Sequence, residues 1–335
     1  MTDPLWITER EVVDLMSLPQ AIDALRTGLL EEAAGQASNM VKTHAIWAEG
    51  STLHALGAVF EGKNVVGAKI WAHTAGGAMP LLIVIDANNG SVLAIIEAFA
   101  LGQMRTGSVS GLATDLLAKP DARRMAMIGA GKQSMAQVAA VGAVRRIDNV
   151  AVWSPTPGKR AALAAKIRDE LQLEAIEMNT LEDALEGADV VTLATRARAP
   201  FLAADALMPG VHVNAVGSIT PERAEFEPAL LARATVVAAD SPPQVRRLSR
   251  EFMEAFGDAD HEWARLQPLS TLVAENCNRP AHADLTVFKA MGMGISDMAL
   301  GIALLEGARK AGLGRLIPRP VRVAPRLTHQ QTEVA

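Results

Sequence analysis

The sequence has no tyrosine, a single cysteine (Cys277) and only 4% aromatic residues. One cysteine excludes an intrachain disulfide and any Cys-based zinc site, and it fits a reducing cytoplasm. Basic charge is not in excess: 32 Lys and Arg stand against 37 Asp and Glu, a formal net charge of −5. No general polyanion-binding surface follows, so nucleic acid is not expected as a partner. Long uninterrupted apolar runs are also missing. The most apolar window, 81–101, is broken by Asp86, Asn88, Asn89 and Glu97, which argues against a membrane partner. The first ten residues carry neither the basic nor the apolar stretch of an export signal. Glycine (26) and proline (17) stand at ordinary levels, which excludes collagen-like and low-complexity classes.

What is present is a 335-residue chain, half of it hydrophobic. At about 100–200 residues per domain, that length predicts two domains with a substantial core. The first third reads as a mixed α+β unit. Thr8 can cap a helix that Glu9 and Glu11 favour at its positive end, and Pro19 divides two helical stripes. Strand-like runs follow at 43–47, 52–60, 65–73 and 81–85. Asp86-Ala87-Asn88-Asn89-Gly90-Ser91 is a turn signal, and 92–96 returns as the second arm of a hairpin. From about Ala113 the pattern alternates strand and helix. Strands are expected at 125–128, 150–153, 173–178, 189–195, 212–217 and 235–239, and helices at 157–171 and 181–185. This alternation predicts a parallel, doubly wound sheet. Near Leu285 the chain is expected to leave that unit, and 294–310 to form a long helix packing back on the first third. The tail beyond Pro318 reads as loose.

One motif carries most of the chemistry. Met125-Ala126-Met127-Ile128 runs into Gly129-Ala130-Gly131-Lys132-Gln133-Ser134, which is strand, then G-x-G-x-x-S, then helix. Gly129 permits the tight turn, Gly131 admits a pyrophosphate to the backbone, and the helix start supplies N–H donors. Lys132 and Gln133 fall in the same turn, and small Ser134 replaces the third glycine. An acid at the end of the second strand would select NAD. Here the chain reads Trp153-Ser154-Pro155-Thr156. Ser154, Thr156, Lys159 and Arg160 suit a 2′-phosphate instead, although the last two also read as solvated helix residues. The cofactor is therefore expected to be NADP(H) or NAD(H), with a lean to NADP(H). Thr195 after the fourth strand, and Val216-Gly217-Ser218 after the fifth, fall where such sheets hold ligands. Gly217 would let the nicotinamide approach the chain.

The glycine turn, with Gly67-Ala68-Lys69 and Met104-Arg105-Thr106-Gly107 before it, resembles the ornithine cyclodeaminase/mu-crystallin family. So does Thr286-Val287-Phe288-Lys289-Ala290-Met291-Gly292 followed by Ile295-Ser296-Asp297. The motifs come in fixed order along most of the chain. They do not separate the family's cyclodeaminases, alanine dehydrogenases, ketimine and cyclic-imine reductases, and iminosuccinate reductases.

The resemblance implies an α/β fold with a Rossmann-type doubly wound parallel sheet inserted into a mixed α+β dimerisation and substrate domain. Residues 114–291 would form the dinucleotide domain, and 1–113 plus 292–335 the other. A homodimer is implied, with a small imino or amino acid as substrate. Lys69 and Arg105 match the lysine and arginine that hold the substrate carboxylate, and Thr106 the phosphate-contacting threonine. Met291 and Gly292 fall at the cofactor side. The family's earlier arginine falls near Lys42, a departure that keeps charge but loses the bidentate fork. A 2-imino acid offers a carboxylate beside an electrophilic C=N carbon, so cations must fix it and a proton must reach nitrogen. Lys69 suits both jobs. His73, four residues on, shares its strand face and is a weaker substrate-binding candidate, with His44 and His54 nearby. His54, Lys69 and His73 have no metal-ligand spacing, and no metal is expected. Asp297 reads as structural or cofactor-proximal, and Asp240 as a helix cap.

A second departure bears on the reaction. The family's cyclodeaminases carry an aspartate in a G-x-D-x-x-G-K-x-E segment, where this chain has Gly217-Ser218-Ile219-Thr220-Pro221-Glu222-Arg223-Ala224-Glu225. Ile219 cannot act as a base, and Glu222 is the nearest substitute. NAD(P)H-dependent reduction of a small or cyclic 2-imino acid is the expected activity. Ornithine cyclodeamination and non-catalytic, crystallin-like NADP binding are the alternatives.

Overall fold

The computed structural model describes residues 3–48 and 50–327. Two eight-stranded sheets organise it. The first is built from β1 (Leu5–Ile7), β2 (Ala37–Asn39), β3 (Thr43–Trp47), β4 (Ser51–Phe60), β5 (Val65–His73), β6 (Leu81–Asp86) and β7 (Val92–Glu97). The second uses β8 (Arg124–Ile128), β9 (Asn149–Trp153), β10 (Glu174–Glu177), β11 (Val190–Leu193), β12 (Val211–Ala215), β13 (Val236–Ala239), β14 (Leu266–Pro268) and β15 (Leu285–Lys289). The last strand, β16 (Arg315–Leu316), returns to the first sheet.

The first sheet has the order β16-β1-β7-β6-β5-β4-β2, with β3 also on β4. The expected hairpin is β6 and β7. Strand alternation sends Leu56, Ala58, Phe60, Leu82, Val84 and Ile96 to one buried face. That face meets the helices Leu18–Ala33 and Gly294–Ala311. Small residues set the spacing: a Cβ at Gly28 would lie 2.8 Å from the Ala299 Cβ, and one at Gly294 would lie 1.8 Å from the Gly57 carbonyl oxygen. Thr8 forms a full capping box with Glu11, and Pro19 sits in the first turn of the second helix.

The second sheet is wholly parallel, in the order β10-β9-β8-β11-β12-β15-β13-β14. The expectation that the chain leaves this unit near Leu285 is corrected here. Residues 285–289 form β15, fully buried and inserted between β12 and β13. The run is apolar on both faces, as a central parallel strand requires, and Lys289 at its end has buried partners. The expected helix at 157–171 is α-helical over Pro157–Lys166 and ends in a π-turn, Ile167–Leu171.

One long helix, Phe99–Leu117, runs through the junction expected at 113 and packs against Ser134–Val144. Gly107 and Gly111 make this close approach, because a Cβ there would meet Ala136 and Ala140 carbonyl oxygens at 2.7 and 2.9 Å. No helix among the described residues is long and apolar enough to cross a membrane.

Candidate functional site

The register places strand ends in a row. Trp153, Ile128, Leu193, Ala215, Lys289 and Ala239 lie level across β9, β8, β11, β12, β15 and β13. The residues that follow therefore emerge side by side at the carboxyl edge, where ligands of such sheets lie. Gly129 turns there with φ +116, and its Cβ would sit 2.5 Å from the Ala194 carbonyl oxygen. Ser134 locks the turn, since its hydroxyl accepts from the Gly131 N–H (3.0 Å) and donates to the Gly129 carbonyl (2.9 Å). A Cβ at Gly131 would meet nothing within 4 Å. The turn is thus closed at Gly129 and open at Gly131, beside an exposed Lys132 and the start of a helix, which fits a dinucleotide phosphate. Gln133 carries a buried side-chain oxygen without a hydrogen-bond partner. The Thr106 hydroxyl donates to the Gly102 carbonyl, and the Thr106 carbonyl accepts from Gln137 across the helix pair.

Other expected cofactor residues are already engaged with the protein. The Thr195 N–H and hydroxyl both donate to Glu225 Oε1, at 2.7 and 2.8 Å. The Gly217 and Ser218 N–H groups donate to Glu225 Oε2, at 2.8 and 3.0 Å, and the Ser218 hydroxyl donates to the Arg223 carbonyl. The reason given for Gly217 needs correcting. A Cβ there would lie 2.2 Å from the Thr195 carbonyl oxygen and 2.4 Å from Glu225 Oε1. The glycine is required by the protein's own clamp. Val216 is buried beside it. Lys289 donates to the Ser218 carbonyl at 2.5 Å and lies 3.7 Å from Glu251. Burial pushes the Glu225 carboxyl up, against the pull of Lys289.

Asp240 is also corrected. It does not cap the helix after β13. Its carboxylate accepts the Met291 and Gly292 N–H groups at 2.8 and 2.7 Å, holding the loop after β15 against the strand-end row. Gly292 (φ +85) in turn packs on Arg105, whose Nη1 would lie 3.1 Å from a Cβ at that position.

Beyond that loop the cations gather. Lys69 on β5 is 3% exposed, and its ammonium meets Asp297 Oδ1 at 2.5 Å. Asp297, fully buried in the helix Gly294–Ala311, also faces Arg105 Nε at 3.4 Å. Two buried atoms have no hydrogen-bond partner, Asp297 Oδ2 and Arg105 Nε, the latter held only by its ion pair with Asp297. Burial pushes the Lys69 ammonium down to about 8; Asp297 opposes this, while Arg105 and Lys42 add to it. Lys42 is lowered by burial and by Arg105, in the fields of Asp240, Asp297 and Arg247. Lys69 and Arg105 therefore meet on Asp297, and Lys42 acts on both through its charge.

An aromatic wall adjoins it. The Lys69 ammonium lies 5.1 Å from the Trp71 ring centroid, His54 stacks on Trp71 at 4.8 Å, and His44 on His54 at 5.7 Å. Burial holds His54 neutral, with its pKa down to about 4. His73 shares this face but is exposed at the strand end. At the end of β9, the Ser154 hydroxyl donates to the Thr156 carbonyl. Arg160 turns inward, donating to the Ser154 carbonyl and to Asn179. Ile219 packs half-buried on the apolar cluster around Phe226, and Glu222 is exposed. No group of three or more His, Cys, Asp or Glu among the described residues is arranged to hold a metal ion.

The reading of the sequence missed Glu225 as a clamp and Trp71 as a wall. The final Glu of the segment compared with G-x-D-x-x-G-K-x-E was the available signal for the first. Trp71, two residues from Lys69 on one strand face, was the signal for the second.

The model of the ornithine cyclodeaminase/mu-crystallin family matches residues 3–311. A Delta(1)-pyrroline-2-carboxylate reductase of Bacillus cereus is 28% identical over 328 residues, spanning 93% of this chain and 99% of its own. The iminosuccinate reductase of Paracoccus denitrificans is 27% identical over 332 residues, 93% of this chain and 98% of its own. Its structure with NAD+ superposes with a TM-score of 0.86 at 25% identity, covering 93% of this chain and 98% of that one. Thermococcus litoralis Delta(1)-pyrroline-2-carboxylate reductase, solved with NADH and L-proline, superposes with a TM-score of 0.87 at 24% identity. It covers 93% of this chain and 100% of that one.

Proposed function

Because this chain belongs to the ornithine cyclodeaminase/mu-crystallin family, we propose that it reduces a small or cyclic 2-imino acid to the amino acid with a nicotinamide cofactor. The carrying observation is the buried cluster of Lys69, Arg105 and Asp297 beside the strand-end row. The nicotinamide, when bound, supplies the hydride. Arg105, Lys69 and Lys42 hold the substrate carboxylate, because a buried cation flanked by half-buried ones grips an anion more strongly than fully exposed cations do. Reduction breaks the C=N π bond and forms one C–H and one N–H bond. The Lys69 ammonium gives nitrogen its proton and is reloaded from water.

Gly129, Gly131, Lys132, Gln133 and Thr106 would hold the pyrophosphate. Thr195, Val216, Gly217, Ser218, Met291 and Gly292 would shape the nicotinamide end, mainly through backbone. NADP(H) is placed ahead of NAD(H), because Ser154 and Thr156 follow β9 without an acid and Arg160 lies against them. The division into 114–291 and 1–113 plus 292–335 follows the two sheets. A homodimer is supported by the sheet face opposite Lys69, where Leu53 and Ile70 are exposed and Ile83 and Ile95 half-buried. The single cysteine suits the cytoplasm.

The test is oxidation of NADPH and NADH with Δ1-pyrroline-2-carboxylate, with iminosuccinate, and with small 2-oxo acids plus ammonia, beside ornithine with NAD+. Oxidation that is lost in Lys69→Ala supports the reading. Proline and ammonia from ornithine, with no net cofactor change, would overturn it, because Ile219 offers no base.

A further inference from the structure

Among the described residues, Asp297 is the one carboxylate within hydrogen-bond distance of Lys69, and it is fully buried. It lies 228 residues away in sequence, on the helix Gly294–Ala311 that covers the sheet face bearing Lys69. Its position is fixed from two sides. Asn39 accepts the Ile295 N–H at 2.9 Å at the helix start, and Gly294 sits directly on Gly57. One oxygen, Oδ1, faces both Lys69 and Arg105, while Oδ2 is buried without a partner.

The charged and titratable groups around this pair come from every neighbouring element. Arg105 on the helix Phe99–Leu117 and Lys42 before β3 act on Lys69 directly, and Asp240 and Arg247 beyond β13 act on Lys42. His44, His54 and His73 lie on the sheet face itself. Asp240 is already committed to the Met291 and Gly292 N–H groups. Without Asp297, Lys69 would be a buried ammonium beside two further cations, a setting that strips its proton.

Resting on the reading above, we propose that Asp297 is a positioning residue. It keeps Lys69 protonated and aimed, and orients Arg105, so that the proton is present when the imine binds. Asp297 neither gains nor loses a proton in the cycle. The proton moves from the Lys69 ammonium to the imine nitrogen, leaving a neutral amine that water reloads.

The experiment compares the wild-type enzyme with Asp297→Asn in NADPH- or NADH-dependent reduction of Δ1-pyrroline-2-carboxylate and of iminosuccinate across pH. Loss of the Lys69 proton limits the alkaline side. An opposite charge of this kind is worth about 1–3 pH units, so the alkaline limb of kcat should move acidward by at least about one unit. Activity lost near neutrality should return at low pH. A merely structural role would lower the rate equally at every pH and leave the limb in place, which would overturn the inference. Asp297→Ser, also neutral, carries the same test should the amide variant fail to fold. A readout independent of turnover is the NMR titration midpoint of the Lys69 ammonium in 15N-lysine-labelled protein, which should fall in both variants and would refute the inference if unmoved. Lys69→Met separates the two levels. If it keeps wild-type reduction, the role of Lys69 itself fails. If it is inactive while Asp297→Asn keeps its limb, only the role of Asp297 fails.

Discussion

Two buried lysine–carboxylate clusters flank the strand-end row, and they differ in how completely they are satisfied. Around Glu225, each carboxylate oxygen accepts two hydrogen bonds, and Lys289 donates to the Ser218 carbonyl. Around Asp297, one oxygen serves Lys69 and forms an ion pair with Arg105 Nε, while the other oxygen has no hydrogen-bond partner and the Arg105 Nε reaches Asp297 only at ion-pair distance. A buried polar group left unmatched costs free energy, so native proteins rarely retain one without a use. The saturated cluster is scaffold: it ties the end of β11 to the end of β12. The unsaturated one has capacity left for a ligand.

The sharpest way to break this contrast is to remove each lysine. Lys69→Met should cut imine reduction by roughly 10²–10⁴-fold, the usual span of a proton-transfer group, with the fold intact by circular dichroism. Lys289→Met should instead cost about 3–5 kcal/mol of stability in urea unfolding, because it strands buried carboxylates. Exchanged outcomes would invert the assignment. Glycines offer a finer version. Gly217→Ala should destabilise by about 1–3 kcal/mol, since the methyl would meet Thr195 backbone and Glu225. Gly131→Ala should leave the unfolding midpoint unchanged and raise the cofactor Kd by about tenfold, or about 1.4 kcal/mol, in a fluorescence titration.

A pH experiment tests the scaffold side again. His212 is fully buried between Thr286 and Asn214, and burial pushes its pKa down to about 3. The unfolded chain binds this proton near the ordinary histidine value and the folded chain does not. Stability should therefore fall as pH drops below about 6.5, down to about 3. Urea midpoints at neutral and mildly acidic pH should show the fall, and His212→Gln should flatten it. An effect as small as that at Gly131 is expected at Arg160→Ala, which should lower the NADPH-over-NADH preference in kcat/KM by roughly tenfold.

Much of the second sheet was legible because a strand, a glycine turn and a helix leave a local pattern. The runs at 125–128 and 150–153 are β8 and the end of β9, and the turn of Gly129 lies between β8 and its helix. Strand order was not legible, because hydrophobic runs carry no record of their neighbours, and β15 was read as an exit. Lys69 and Arg105 stood out only through the family resemblance; a lysine on a strand looks like any other. The roles of Asp240 and Asp297 depend on acceptors meeting donors far along the chain, such as Asp240 with Met291 and Gly292. No local spacing encodes those meetings.

The insertion of β15 has a consequence for how the protein is made. Until residues 285–289 leave the ribosome, β12 and β13 face a gap, and their backbone groups await partners that a neighbouring chain could supply. The first sheet waits too, since β1 pairs with β16 and its buried face needs the helix Gly294–Ala311. Both sheets therefore close in the same late interval of synthesis. The closing pair of the first sheet, Leu5 with Leu316, is among the most distant in the chain, and such non-local pairing slows folding and exposes the nascent chain to aggregation.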